Sequence, residues 1–178
     1  MTALFKKEIR SFLHSLIGYL VMGVFLLING LFLWVFPTDF NIPDFGYASL
    51  DGLFIMAPFV FLFLVPAVTM RSFAEEQRSG TMELLLTKPL TDMQIIGAKF
   101  LAGLALVLLS LLPTLVYFIS VYRLGLPPGN LDTGGIAGAY AGLFLLSAAF
   151  VAIGLFCSSL TDNQIIAFIL ALDRKSVV

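Results

Sequence analysis

Long apolar runs separated by short polar stretches organise the chain. Residues 16–36, 52–70, 95–122 and 135–157 are each close to or beyond the roughly 20 residues that a helix needs to cross a bilayer. A fifth run, residues 164–172, is too short to cross. Tyr19 and Trp34 lie near opposite ends of the first run, where interfacial aromatics collect. That run lacks a small-residue cleavage site and is long enough to span, so it reads as a membrane helix rather than a signal peptide. The pattern predicts an all-α polytopic membrane protein: a helix bundle with five apolar segments, the fifth incomplete.

Punctuation within and between the runs refines this picture. Pro58, Pro66 and Pro113 are expected to kink the second and third spans, more often for packing than for gating. In the fourth span Gly134, Gly138 and Gly142 recur every four residues. That small-residue face can approach another helix closely, either inside the subunit or across a dimer. Asn29, deep in the first span, is expected to hydrogen-bond between helices. The N-terminal segment alternates Leu4, Phe5, Ile9, Phe12 and Leu13 with Lys6, Lys7, Glu8 and Arg10. It suits a helix lying in the interface with its polar face toward anionic headgroups, or simply a charged flank.

Charge orients the spans. Lys6, Lys7, Arg10, Arg71, Arg78, Lys88 and Lys99 are assigned to the N-terminus or to the stretch between spans two and three, whereas Arg123 stands alone among the acids of the other loops. The positive-inside rule places the N-terminus and residues 71–94 in the cytoplasm. No span is read as carrying a charge at its middle, which argues against an ion-coupled pump with its own relay.

Composition then narrows the function classes. The chain has 60% hydrophobic and 12% charged residues, with a mean hydropathy of +1.02. Soluble domains carry about 25% charged residues. A net charge of −1 offers no basic surface for nucleic acid. His14 and Cys157 are each single, so neither a metal site nor a disulfide framework is expected, nor any other cofactor. The scattered acids form no catalytic constellation, and there is no G-x-x-x-x-G-K-[ST] phosphate loop, so ATP hydrolysis would belong to a partner.

The segment RSFAEEQRSGTMELLLTKPL, beginning at Arg71, carries the most patterned charge. The second span is expected to continue as a helix past the membrane with Glu75 and Glu76 exposed, ending at a Gly80 C-cap. Thr81 would cap a short helix holding Glu83, Leu84, Leu85 and Leu86, stopped before Pro89. A third helix would begin near Thr91 or Asp92. This arrangement is a docking surface for lipid or protein.

AEEQRSGTMELLLTKPLT resembles the E-E-x-x-x-G-T-x-E-L-L-L-[ST]-x-P signature of ABC-2 type transporter permeases. That resemblance implies a six-span permease that dimerises and rests on cytosolic ATPase subunits. It also implies that Glu75, Glu76, Gly80, Thr81, Glu83, Leu84, Leu85 and Leu86 form the ATPase-coupling loop, with the N-terminal helix beside it. FLLINGLFLWVFP, GYASLDGLFIMAPFVFLFLVPAVTMRSFAEE, GNLDTGG and SSLTDNQI further resemble the gliding motility-associated ABC transporter permeases of Bacteroidota. This second likeness implies a multi-pass inner-membrane subunit working with a companion membrane protein that has a large extracytoplasmic region. Residues 1–172 then read as a partial membrane domain. Residues 173–178 break the apolar pattern and are expected to be a non-native tail. A membrane scaffold that recruits a cytosolic partner without transport is the alternative.

Overall fold

The structure is a computed structural model that describes residues 2–46, 48–80, 91–125 and 131–176. Those residues form helices and connecting turns, with no strand among them. The helices are α1 (Thr2–His14), α2 (Leu16–Trp34), α3 (Ile42–Phe45), α4 (Asp51–Thr69), α5 (Arg71–Arg78) and α6 (Asp92–Leu111). After a 3-10 turn at Leu112–Thr114 come α7 (Leu115–Leu124), α8 (Thr133–Ser159) and α9 (Gln164–Ser176).

Among the described residues, three stretches are long and apolar enough to cross a membrane: Asp51–Arg78, Asp92–Leu124 and Thr133–Ser159. The pair formed by residues 4–14 and 18–34, bent by 63°, makes a fourth if taken as one span. The expected spans two to four are therefore present and slightly longer than their apolar cores. Helix α9 runs past Leu172 to Ser176, so the change of pattern at residue 173 does not end the helix.

Local chemistry sets these boundaries. Ser15 separates α1 from α2, its hydroxyl accepting the Gly18 amide at 3.2 Å. Asn41 does the same for α3, and Gly46 closes that turn with φ +71°. Pro58 and Pro66 both lie inside α4, and Pro113 sits in the 3-10 turn dividing α6 from α7, where a missing N–H is tolerated.

The bundle core lies where α4 packs against α8 and α2. Phe25 of α2 stacks on Phe61 of α4 with ring centroids 4.5 Å apart. The close helix–helix approaches are made at Gly103 and Gly154. A Cβ on Gly103 would come within 2.7 Å of Val151, and one on Gly154 would collide with the Thr69 hydroxyl. The expected stripe behaves differently. A Cβ on Gly138 or Gly142 would meet nothing within 4 Å, and one on Gly134 would meet only Asp132. Among the described residues, nothing packs closely against Gly138 or Gly142.

Asn29 is likewise buried, but its amide donates to the Phe25 carbonyl of its own helix at 2.8 Å. Among the described residues the expected interhelical bond is not made. The polar links between spans come instead from Tyr117, which donates to the Leu26 carbonyl at 3.2 Å, and from the Thr114–Tyr140 hydroxyl pair at 2.9 Å.

Candidate functional site

At the end of the bundle that gathers α1, the α4–α5 junction, the start of α6 and the end of α8, four charged side chains form one network. On α6 the buried face reads Ile95, Ala98, Lys99, Ala102, Gly103 and Leu106, with helical spacing. Lys99 sits on that face and is 2% exposed. Its ammonium lies 2.9 Å from Glu76 of α5 and 3.3 Å from Glu8 of α1, and it donates to the Ser72 carbonyl at 2.5 Å. The Phe73 ring lies 4.9 Å away, adding a cation–π contact. Lys7 completes the network at 3.1 Å from Glu76 and 3.6 Å from Glu8.

Two lysines and two glutamates cancel, which is the condition for holding charge out of water. Lys7 is the most exposed member of the four. Partial burial opposes its charge, but the hydrogen bond to Glu76 and the fields of Glu8 and Glu76 prevail, raising its pKa above the usual lysine value.

Three sequence expectations change here. Charge counting assigns Lys99 to the stretch between spans, although it falls within the 95–122 run; it is buried on α6. Glu8 had been placed on the polar face of α1. It is 6% exposed, because Leu4 and Glu8 lie one turn apart on the side facing α6. Glu76 had been expected to be exposed, whereas its side chain keeps only 14% exposure and turns toward Lys99; Glu75 is the exposed member of that pair. The signal for Lys99 was present in the sequence: it falls in register with Ile95, Ala102 and Leu106.

A second device fixes α5. Ser158, near the end of α8, is fully buried, and its hydroxyl accepts the Phe73 and Ala74 amides at 3.0 and 3.2 Å. It also donates to the Met70 carbonyl at 2.9 Å. The free amides at the start of α5 are thereby capped by a side chain from another helix, which sequence spacing alone could not suggest.

Helix α5 is capped at Ser79, one residue before the expected Gly80, which follows as the turn residue. Gly80 has φ +67°, a left-handed conformation that favours glycine. Thr81, Glu83, Leu84, Leu85 and Leu86 lie outside the described residues. The chain is described again from Thr91, whose amide donates to the Gln94 side chain at 3.4 Å as α6 begins at Asp92. The predicted coupling positions are thus divided: Glu76 is tied into the bundle, while Glu75 and Gly80 are exposed beside the point where the description stops. Among the described residues no group of three or more His, Cys, Asp or Glu could hold a metal ion.

Apolar spans arranged around a charged, multi-helix junction at one end define a multi-pass helical membrane protein. The family model of the ABC-2 family transporter proteins matches residues 41–172, and the chain belongs to that family. It is accordingly a membrane-spanning permease subunit of a transporter. Permeases of this kind work with a cytosolic ATPase and with a partner in the membrane. Comparison with curated proteins and with solved structures finds no match.

Proposed function

We propose that the chain is the permease subunit of an ATP-driven ABC-2 transporter and that residues 71–93 are its ATPase-coupling loop. The observation that carries this reading is the Lys99 network. Glu76 belongs to the helix leading into the loop, and through Lys99 it is joined ionically to α6 and to α1. A displacement delivered between Gly80 and Thr91 would enter two spanning helices at once, through α5 into α4 and through the start of α6. Within this reading Thr81, Glu83, Leu84, Leu85 and Leu86 meet the ATPase, and the N-terminus and the loop face the cytoplasm. The outward glycines Gly134, Gly138 and Gly142 serve a permease dimer.

The finer assignment rests on the resemblance of the four segments quoted above to the gliding motility-associated subunit GldF of Bacteroidota. It puts the protein in the inner membrane beside a companion subunit with a large extracytoplasmic region.

Co-reconstitution with the ATPase tests the coupling role. Gly80→Pro cannot adopt the positive φ of the native residue, and Glu83→Lys reverses the charge of the loop. Both are expected to abolish stimulation of ATP hydrolysis while the complex still assembles. If hydrolysis is indifferent to both, the alternative applies, a scaffold that recruits a cytosolic protein without moving anything.

A further inference from the structure

The charged network lies beside a cleft whose walls include Ser11, Phe12 and Ser15 from the α1–α2 elbow and Arg71 and Glu75 from α5. Glu8, Glu76, Lys7 and Lys99 also line it, but these four are satisfied by one another. Arg71 and Glu75 are not. Arg71 is half-buried, and its Nε is buried with no hydrogen-bond partner. Among the described residues, neither Arg71 nor Glu75 takes part in an ion pair. The two are opposite in charge and one helical turn apart on α5, yet the ion pairs at this end of the bundle pass them by.

Position says what the pair faces. Ser15 starts the apolar helix α2, and Arg71 follows directly on the apolar helix α4, so the cleft lies where hydrocarbon gives way to headgroups. Just inside this boundary α2 exposes Leu16, Tyr19 and Leu20, an apolar strip suited to an acyl chain. An unpaired guanidinium at this depth calls for a phosphate, and serine hydroxyls can add donors. A carboxylate beside it calls for a cation with N–H donors.

We propose that this cleft is a binding site for a zwitterionic phospholipid with an ethanolamine headgroup. The phosphate lies on Arg71 with Ser11 and Ser15 within the same cleft, and the ammonium donates to Glu75. Choline carries the same charge but no N–H, so it satisfies the phosphate position and not the carboxylate. A phosphoglycerol headgroup offers Glu75 neutral hydroxyl donors but no cation, and it brings a net negative lipid to the carboxylate. The site shares Arg71 and Glu75 with the proposed coupling segment, but it concerns lipid and its test needs no ATPase.

Native mass spectrometry of the delipidated full chain in detergent provides the measurement, with dioleoyl phosphatidylethanolamine, phosphatidylcholine and phosphatidylglycerol added in turn. The expected result is about tenfold tighter retention of the ethanolamine lipid than of the choline lipid, the scale of one charge-assisted hydrogen bond. Arg71→Gln should weaken retention of all three. Glu75→Gln, at an exposed position, should leave choline-lipid binding in place and remove the ethanolamine preference. It therefore keeps the test decisive even if the Arg71 variant misfolds. Soluble phosphoethanolamine should not compete at millimolar concentration, because the strip on α2 contributes to retention. Equal retention of ethanolamine and choline lipids by the native chain, a preference for phosphatidylglycerol, or full competition by soluble phosphoethanolamine would each overturn the proposal.

Discussion

The two ends of the bundle are built on different principles. At the end carrying Lys99, α1, α5, α6 and α8 are joined by ion pairs and by the Ser158 cap. At the other end, α7 buries only Val121, and the first ten residues of α8 have none in the core; its buried residues begin at Leu143. Gly138 and Gly142 there face open space. One end is cross-linked by paired charge between helices. The other leaves its small residues uncovered among the described residues. Burial of charge thus marks where the subunit must hold together, and exposed glycine marks where it has surface to offer.

Four substitutions would break or sharpen that contrast. Lys99→Ala leaves Glu8 and Glu76 with Lys7 as their remaining cation and is expected to cost up to about 3–5 kcal/mol, the scale of a broken buried pair; thermal unfolding in detergent measures it, and a shift under 1 °C would refute the network's role. Next is Gly154→Val, which drives a branched side chain into Thr69 and should cost about 1–3 kcal/mol. Scanning calorimetry on the same preparation reads this loss. Ser158→Ala removes a cap shared by two amides, at about 0.5–2 kcal/mol. Hydrogen exchange should quicken at Phe73 and Ala74 while the middle of α8 stays protected. The smallest effect belongs to Gly142→Ala at the open end. Monomer stability should change by no more than about 0.5 kcal/mol, the usual range for surface changes. Cross-linking between copies would show whether that face meets another subunit.

Much of the fold was legible because apolar length is a strong signal: the second, third and fourth spans fall where the hydropathy runs place them. Helix ends were legible too, since Gly80 and Thr91 carry turn and cap chemistry in their own side chains or lack of one. The charged network was only half legible. Counting charges for topology treats every lysine as a loop residue, which hid the register of Lys99 with Ile95 and Leu106. Glu8 was misplaced because it alternates with basic residues, although it stands one turn from Leu4. Ser158 left no local mark at all, since it caps a helix some eighty residues earlier in the chain. Contacts of that separation are properties of packing, not of pattern.

The Ser158 hydroxyl also has a mechanical consequence. It is tied to α5 at both Phe73 and Ala74 and to the end of α4 at Met70. Swinging α5 away from α8 would leave two amides and a carbonyl without that hydroxyl, the same three bonds that Ser158→Ala removes. The cheaper motion is a shared rotation, in which the end of α8 turns with α5 like two gears on one pin. Under the coupling role proposed above, torque entering at α5 would thus be passed to the helix that bears the open glycines at its far end, some twenty residues along the same rod.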